Sequence, residues 1–115
     1  MKEKAREYFE AFSEGDLEKL ENLYAENVSL KDWVSEHEGR DAVLAANESL
    51  FASHKVDVKV NSMVGGDFPE LMVACEIEIS LDDGSTKENL LVADILTFNK
   101  LGQIEEIRAY LGSSN

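Results

Sequence analysis

Two aspartates interrupt apolar runs of the kind that strands bury. Asp32 ends an alternating run that begins at Val28, and Asp94 lies in the middle of the run from Leu90 to Phe98. Residues two apart in a strand share a face, so each carboxyl points to the side that its apolar neighbours bury. A buried carboxylate must be paired, hydrogen-bonded or kept protonated by a raised pKa. The two residues are therefore candidates for a base and a proton donor.

The composition argues against several other kinds of partner. The 115 residues carry 24 acidic and 11 basic side chains, which gives a formal net charge of −13. Such a chain lacks the basic patch that contacts nucleic-acid phosphates or an anionic membrane surface. Cys75 is the single cysteine, so we expect no internal disulfide and a reduced compartment. No stretch approaches the ~20 apolar residues of a membrane span, and we expect a soluble, cytoplasmic protein.

The sequence favours neither a metal nor a cofactor. His37 and His54 are expected in polar loops, without cysteines or clustered acids at ligand spacing. No glycine-rich phosphate loop precedes a helix, and no Ser-His-Asp set is indicated. Any chemistry of the two aspartates should therefore need no cofactor.

Three helices are predicted ahead of most of the strands. Apolar residues at helical spacing from Ala5 predict a helix over residues 3–13, which Gly15 ends, and Asp16 is placed to cap a second helix. A short strand over 28–33, a polar loop over 35–39 and a third helix over 40–52 should follow. From Val56 the period is two, which predicts four strands joined by tight turns. This order indicates one α+β domain over residues 1–115, with three helices on one face of a curved, mostly antiparallel sheet.

The strand around Asp94 is apolar on both faces. Leu91, Ala93 and Ile95 occupy the phase opposite to Asp94. Three short helices can cover only one face of the sheet. We therefore expect a homodimer that packs through the other face.

The order of elements and several short strings resemble the nuclear transport factor 2-like superfamily, also called SnoaL-like. The strings are residues 8–12 leading to Gly15-Asp16, residues 23–28, residues 39–41, and residues 94–98 running through 102–104 to 109–110. The resemblance covers nearly the whole chain and implies a cone-shaped barrel. Within the superfamily, the closest resemblance is to ketosteroid isomerase.

This resemblance implies a base at Asp32 and an oxyanion hole formed by Tyr8 and Asp94. The residue types support the same roles, because Tyr8 lies on the apolar stripe of its helix and carries a hydroxyl inward. A neutral Asp94 and Tyr8 could both donate to one carbonyl oxygen, while Asp32 moves a neighbouring carbon-bound proton. The predicted reaction is a double-bond shift in a small hydrophobic carbonyl compound.

Five further residues are candidates for substrate binding. Tyr24 matches a tyrosine that, in one branch of the family, hydrogen-bonds the oxyanion-hole tyrosine. Asn47 lies on the apolar face of the third helix, at the place of another tyrosine, so it should either line the pocket or bond to the backbone. Trp33 stands where ketosteroid isomerases commonly have proline, Leu111 where some members have tryptophan, and Val92 where related epoxide hydrolases have arginine.

Two other functions remain open at this point. The first is a non-catalytic domain of the same fold that binds a small molecule. The second is a polyketide cyclase or another lyase, which would use the same acids for different chemistry.

Overall fold

The computed structural model describes all residues, 1–115. Three helices and two strands make up the first half of the chain, and four strands make up its second half. The elements are α1 Lys2–Glu14, α2 Leu17–Leu23, β1 Tyr24–Lys31, β2 Glu36–Glu38, α3 Arg40–Ser53, β3 Lys55–Gly65, β4 Met72–Asp82, β5 Lys87–Phe98 and β6 Ile104–Ser114.

The first two helices begin and end where their residue types predict. Gly15 adopts a left-handed conformation, with φ of 66°, and its N–H reaches the last carbonyls of α1. The Asp16 side chain accepts a hydrogen bond of 3.1 Å from the Lys19 backbone N–H, which caps α2. None of the three helices has the length and apolar character that crossing a bilayer requires.

The six strands form one sheet in the order β2-β1-β6-β5-β4-β3. All neighbouring pairs are antiparallel except β1 and β6, which are parallel. Register shifts in three of the ladders bend the sheet around the helices. The predicted α+β architecture is confirmed. The expected barrel is not closed, because the edge strands β2 and β3 do not pair with each other.

The core lies between the helices and the inner face of the sheet. In β5, alternate residues from Leu90 to Phe98 are buried, including Asp94, whereas Leu91 and Ala93 are exposed on the outer face. Residues from every helix fill the opposite side of this core. Its largest fully buried side chains are Tyr24, Leu20, Ile77, Leu96, Ile104 and Ile107.

The structure differs from the sequence prediction around Asp32. The strand predicted over 28–33 begins earlier, at Tyr24, and ends at Lys31, because the Asp32 carboxylate accepts backbone N–H groups and starts a turn. The loop predicted over 35–39 contains β2, whose His37 pairs with Leu30 of β1. Three polar residues at a sheet edge carry too little pattern to identify a strand.

Candidate functional site

A mostly apolar cavity of about 530 Å³ lies between the helices and the inner face of the sheet. Its volume falls within the range of small-molecule pockets. The buried Tyr8, Asn47 and Asp94 mark its deep end, and the exposed Trp33 and Val34 mark its mouth. Aliphatic and aromatic side chains line the space between, so the cavity suits a ligand with an apolar body and an oxygen at its inner end.

The structure brings six of the eight predicted site residues around this cavity. They are Tyr8, Asp32, Trp33, Asn47, Val92 and Asp94. Tyr24 lies behind the lining and contacts Asn47 and Tyr8. Leu111 is outside the lining and is 39% exposed.

Asp94 occupies the middle of β5, between Cys75 of β4 and Ala109 of β6. Only 5% of the residue is exposed, and its Oδ1 is buried without a hydrogen-bond partner. Burial, with a smaller contribution from the charge of Asp32, raises the pKa of Asp94 to about 7. Near neutral pH much of this carboxyl therefore keeps its proton and can act as a hydrogen-bond donor.

Asp32 is the first residue after β1 and is held by the turn that follows. Its Oδ1 accepts hydrogen bonds of 2.8 Å from the backbone N–H groups of Val34 and Ser35. Its Oδ2 accepts none from the protein, and the residue is half-buried. Two backbone donors on one oxygen fix the orientation of the carboxylate. Oδ2 is therefore free to accept a proton.

Tyr8, Tyr24 and Asn47 lie together at the deep end of the cavity. The Tyr24 hydroxyl donates a hydrogen bond of 2.7 Å to Asn47 Oδ1. Burial raises the pKa of both tyrosines, and their mutual contact further raises the pKa of Tyr8 while lowering that of Tyr24. Asn47 lines the cavity, and its side-chain oxygen bonds to Tyr24 rather than to the backbone.

Sequence reasoning missed two polar residues at the mouth, Ser35 and His37. Both line the cavity, and His37 Nε2 lies 3.1 Å from Ser35 Oγ. His37 faces the cavity because it pairs with Leu30, whose side chain also lines it. Only recognition of β2 would have revealed this position.

Cys75 packs as a core residue, as its type predicts. It is 3% exposed, and burial together with the neighbouring Asp94 raises the pKa of its thiol to about 12. A thiol of this kind stays protonated and unreactive. It therefore contributes packing beside Asp94 rather than a nucleophile.

Comparison with known proteins places the chain in a family. No curated protein sequence matches it. The epoxide hydrolase/cyclase-like enzyme SalBIII, which takes part in pyran ring formation in the polyether salinomycin, has a similar structure, with a TM-score of 0.80, 22% identity and coverage of 96% of this chain and 89% of SalBIII. Rv0760c from Mycobacterium tuberculosis, solved in complex with estradiol-17β-hemisuccinate, has a TM-score of 0.81, 19% identity and coverage of 92% and 88%.

A third similar structure is a proposed ketosteroid isomerase from Kribbella flavida, with a TM-score of 0.79, 20% identity and coverage of 96% of this chain and 76% of that one. At these identities the three structures share the fold. The sequence profile of the SnoaL-like domain matches residues 5–107. Since that match spans most of the chain, the protein belongs to the SnoaL-like domain family.

Proposed function

We propose that the protein catalyses a cofactor-free double-bond shift in a small hydrophobic carbonyl compound, in the manner of ketosteroid isomerase. The observation that carries the proposal is the position of Asp94, a buried acid with an unpartnered oxygen on the same cavity as Asp32. A carboxyl with a raised pKa is poised to donate a hydrogen bond, and a half-buried carboxylate with a free oxygen is poised to accept a proton.

The reaction needs one proton to move between two carbons of the substrate. Asp32 Oδ2 takes a proton from the carbon between the carbonyl group and a β,γ double bond, and the electron pair moves to the carbonyl oxygen. Protonated Asp94 and Tyr8 donate hydrogen bonds to the resulting enolate oxygen. Asp32 then returns the proton to the γ-carbon, which gives the conjugated ketone and restores the base.

The substrate class follows from the cavity. Its lining is apolar apart from a few groups at each end, so an apolar ring system with one inner oxygen fits it. The steroid ester bound by Rv0760c is an example of an apolar ring system held by a similar fold. Its occurrence there supports a hydrophobic ligand for this chain.

The test is turnover of a bicyclic β,γ-unsaturated ketone, followed by the ultraviolet absorbance of the conjugated product. Asp32→Asn should lower kcat/KM by about 10²- to 10⁴-fold, because the amide keeps the turn but cannot accept the proton. Asp83→Asn is the matched control. Asp83 also accepts backbone N–H groups, from Ser85 and Thr86, in an exposed turn outside the cavity lining. Wild-type turnover in Asp32→Asn, or equal losses in both variants, would contradict the assignment of the base.

The pH dependence of kcat tests the proton donor separately. The pKa of Asp94 is raised to about 7, so its proton is present below pH 7 and is lost as the pH rises through that value. We therefore expect kcat to fall above about pH 7. An increase over the same interval would contradict the role of Asp94 as a donor.

The two other functions make different predictions for the same variants. A non-catalytic binding domain should keep its ligand affinity in Asp32→Asn and should show no turnover. A cyclase would use protonated Asp94 to activate an epoxide or carbonyl oxygen toward an internal nucleophile, and the similarity to SalBIII favours this candidate. Its product would be cyclic and would lack the absorbance of a conjugated ketone.

We also propose that two copies of the chain pack through the outer face of the sheet. Leu91 and Tyr110 are 37% and 52% exposed there, beside Ala93 and Ile95. These apolar side chains lie beside their charged cross-strand partners Glu76, Glu78 and Arg108, and such a mixed face can pair with itself around a twofold axis. Ala93→Arg should give a monomer in size-exclusion chromatography with light scattering, and Thr86→Arg, in the exposed β4–β5 turn, should not. A monomeric wild type would contradict the proposal.

A further inference from the structure

We propose that the side-chain amide nitrogen of Asn47 is a hydrogen-bond donor to the ligand, so that the site prefers compounds with a second oxygen besides the carbonyl oxygen. The proposal rests on the cavity assigned above and specifies the class of substrate that enters it. Its evidence is the set of hydrogen bonds around Asn47, which is independent of the two aspartates.

Asn47 has one polar atom in use and one free. It is 4% exposed and lines the cavity. Its Oδ1 accepts from the Tyr24 hydroxyl, whereas its Nδ2 donates to no atom of the protein. Nδ2 keeps some solvent-accessible surface, whereas Asp94 Oδ1 keeps almost none. In a buried residue that lines a cavity, the surface that Nδ2 keeps must face the cavity.

The hydrogen bond from Tyr24 sets this orientation of the amide. The Tyr24 hydroxyl carries a single proton, which it donates to one acceptor. The acceptor is Asn47 Oδ1, at 2.7 Å. An amide that accepts with its oxygen on one side presents its two N–H groups on the other. Tyr24 therefore turns the amide donor of Asn47 toward the ligand.

Asn47 Nδ2 is a third hydrogen-bond donor at the deep end, besides Asp94 and Tyr8. It therefore requires a second acceptor atom on the ligand. A carbonyl oxygen offers two lone pairs, and the proposed mechanism uses both, for Asp94 and Tyr8. A buried N–H without a partner is unfavourable, so a ligand that supplies a further oxygen should bind more tightly than one that does not. A hydroxycarbonyl or dicarbonyl compound with an apolar ring system has the required chemistry.

The probes that test this inference are methoxy-2-naphthols, each compared with the ethyl-2-naphthol substituted at the same ring position. The naphthol oxygen resembles the enolate oxygen, and a methoxy group can only accept a hydrogen bond. The ethyl group has nearly the same size and no oxygen. The measured quantity is the ratio of the two dissociation constants, obtained from naphthol fluorescence, for each ring position.

In the wild type, we expect at least one methoxy compound to bind about 5-fold more tightly than its ethyl partner. Tyr24→Phe should weaken this preference, because the amide of Asn47 remains but loses the hydrogen bond that orients it. Tyr24→Phe/Asn47→Leu should bring the ratio to about 1. The double variant replaces both partners of the buried hydrogen bond with apolar groups, so it leaves no orphaned hydroxyl that could unfold the chain.

Two results would overturn the inference. One is the absence of any methoxy preference in the wild type, which would mean that Nδ2 serves water alone. The other is a preference that survives in Tyr24→Phe/Asn47→Leu. Because the assay measures equilibrium binding, it stays informative if Asp32→Asn shows that the proposed isomerase activity is wrong. Turnover assays likewise do not depend on the methoxy preference.

Discussion

The two ends of the cavity hold the same residue type in opposite environments. At the deep end, Asp94 projects from the middle of β5 with an unpartnered oxygen, and its pKa is raised to about 7. At the mouth, Asp32 follows the end of β1, and two backbone N–H groups bond to one oxygen of its carboxylate. A strand interior thus raises the pKa of one aspartate, whereas a turn fixes the orientation of the other and leaves one of its oxygens free.

The ends also differ in what holds them together. Deep in the cavity, side chains from separate elements bond to one another, as Tyr24 of β1 does to Asn47 of α3. At the mouth, the contacts run between Asp32 and residues two and three positions later. Changes at the deep end should therefore affect stability strongly, and changes at the mouth should affect it weakly.

The largest expected effect on stability is that of Asp94→Asn. The folded protein holds a proton on Asp94 up to about pH 7, whereas the unfolded chain releases it near 3.8. Wild-type stability is therefore lost as the pH rises from about 4 to 7, by roughly 1.4 kcal/mol per unit. Relative to the wild type, Asp94→Asn should gain on the order of 3 kcal/mol between pH 5 and pH 8.

The measurement is urea unfolding across this pH range. Glu88→Gln is the control, since Glu88 is an exposed acid of the same strand. Its unfolding free energy should run parallel to that of the wild type. A parallel curve for Asp94→Asn as well would mean that the buried acid is not protonated at neutral pH.

A smaller effect is expected from Tyr24→Phe. The change leaves Asn47 Oδ1 buried without its donor, which should cost about 1–3 kcal/mol of unfolding free energy. Tyr110→Phe removes a hydroxyl from a residue that is 52% exposed, and it should change stability by less than about 0.5 kcal/mol. Thermal unfolding of the two variants gives the comparison. Equal stabilities would show that the deep hydrogen bond contributes nothing.

The smallest effect is expected at the mouth. Asp32→Ala removes the acceptor of two backbone hydrogen bonds in a solvent-exposed turn and should cost about 1 kcal/mol. Asp32→Asn keeps an oxygen in the same place and should leave stability close to that of the wild type. Denaturant midpoints would separate the two. A large loss in both variants would mean that the charge of Asp32, rather than the turn, stabilises the fold.

The sequence predicted the deep end of the site better than the mouth. The burial of Asp94 follows from strand periodicity, and the end of α1 follows from Gly15, because both are local properties of the chain. The partner of Tyr24 could not be predicted, since Asn47 is 23 residues away and meets it only after α3 packs on the sheet. The position of His37 at the cavity depends on a three-residue strand that no pattern distinguishes from a loop.

The most direct measurement is a pH titration of the Asp94 side-chain carboxyl by carbon-13 magnetic resonance, assigned through its absence in Asp94→Asn. Withdrawal of this acid from water, near a second carboxylate, predicts a midpoint near 7. A midpoint near the ordinary value of 3.8 would contradict the existence of a protonated donor in the cavity.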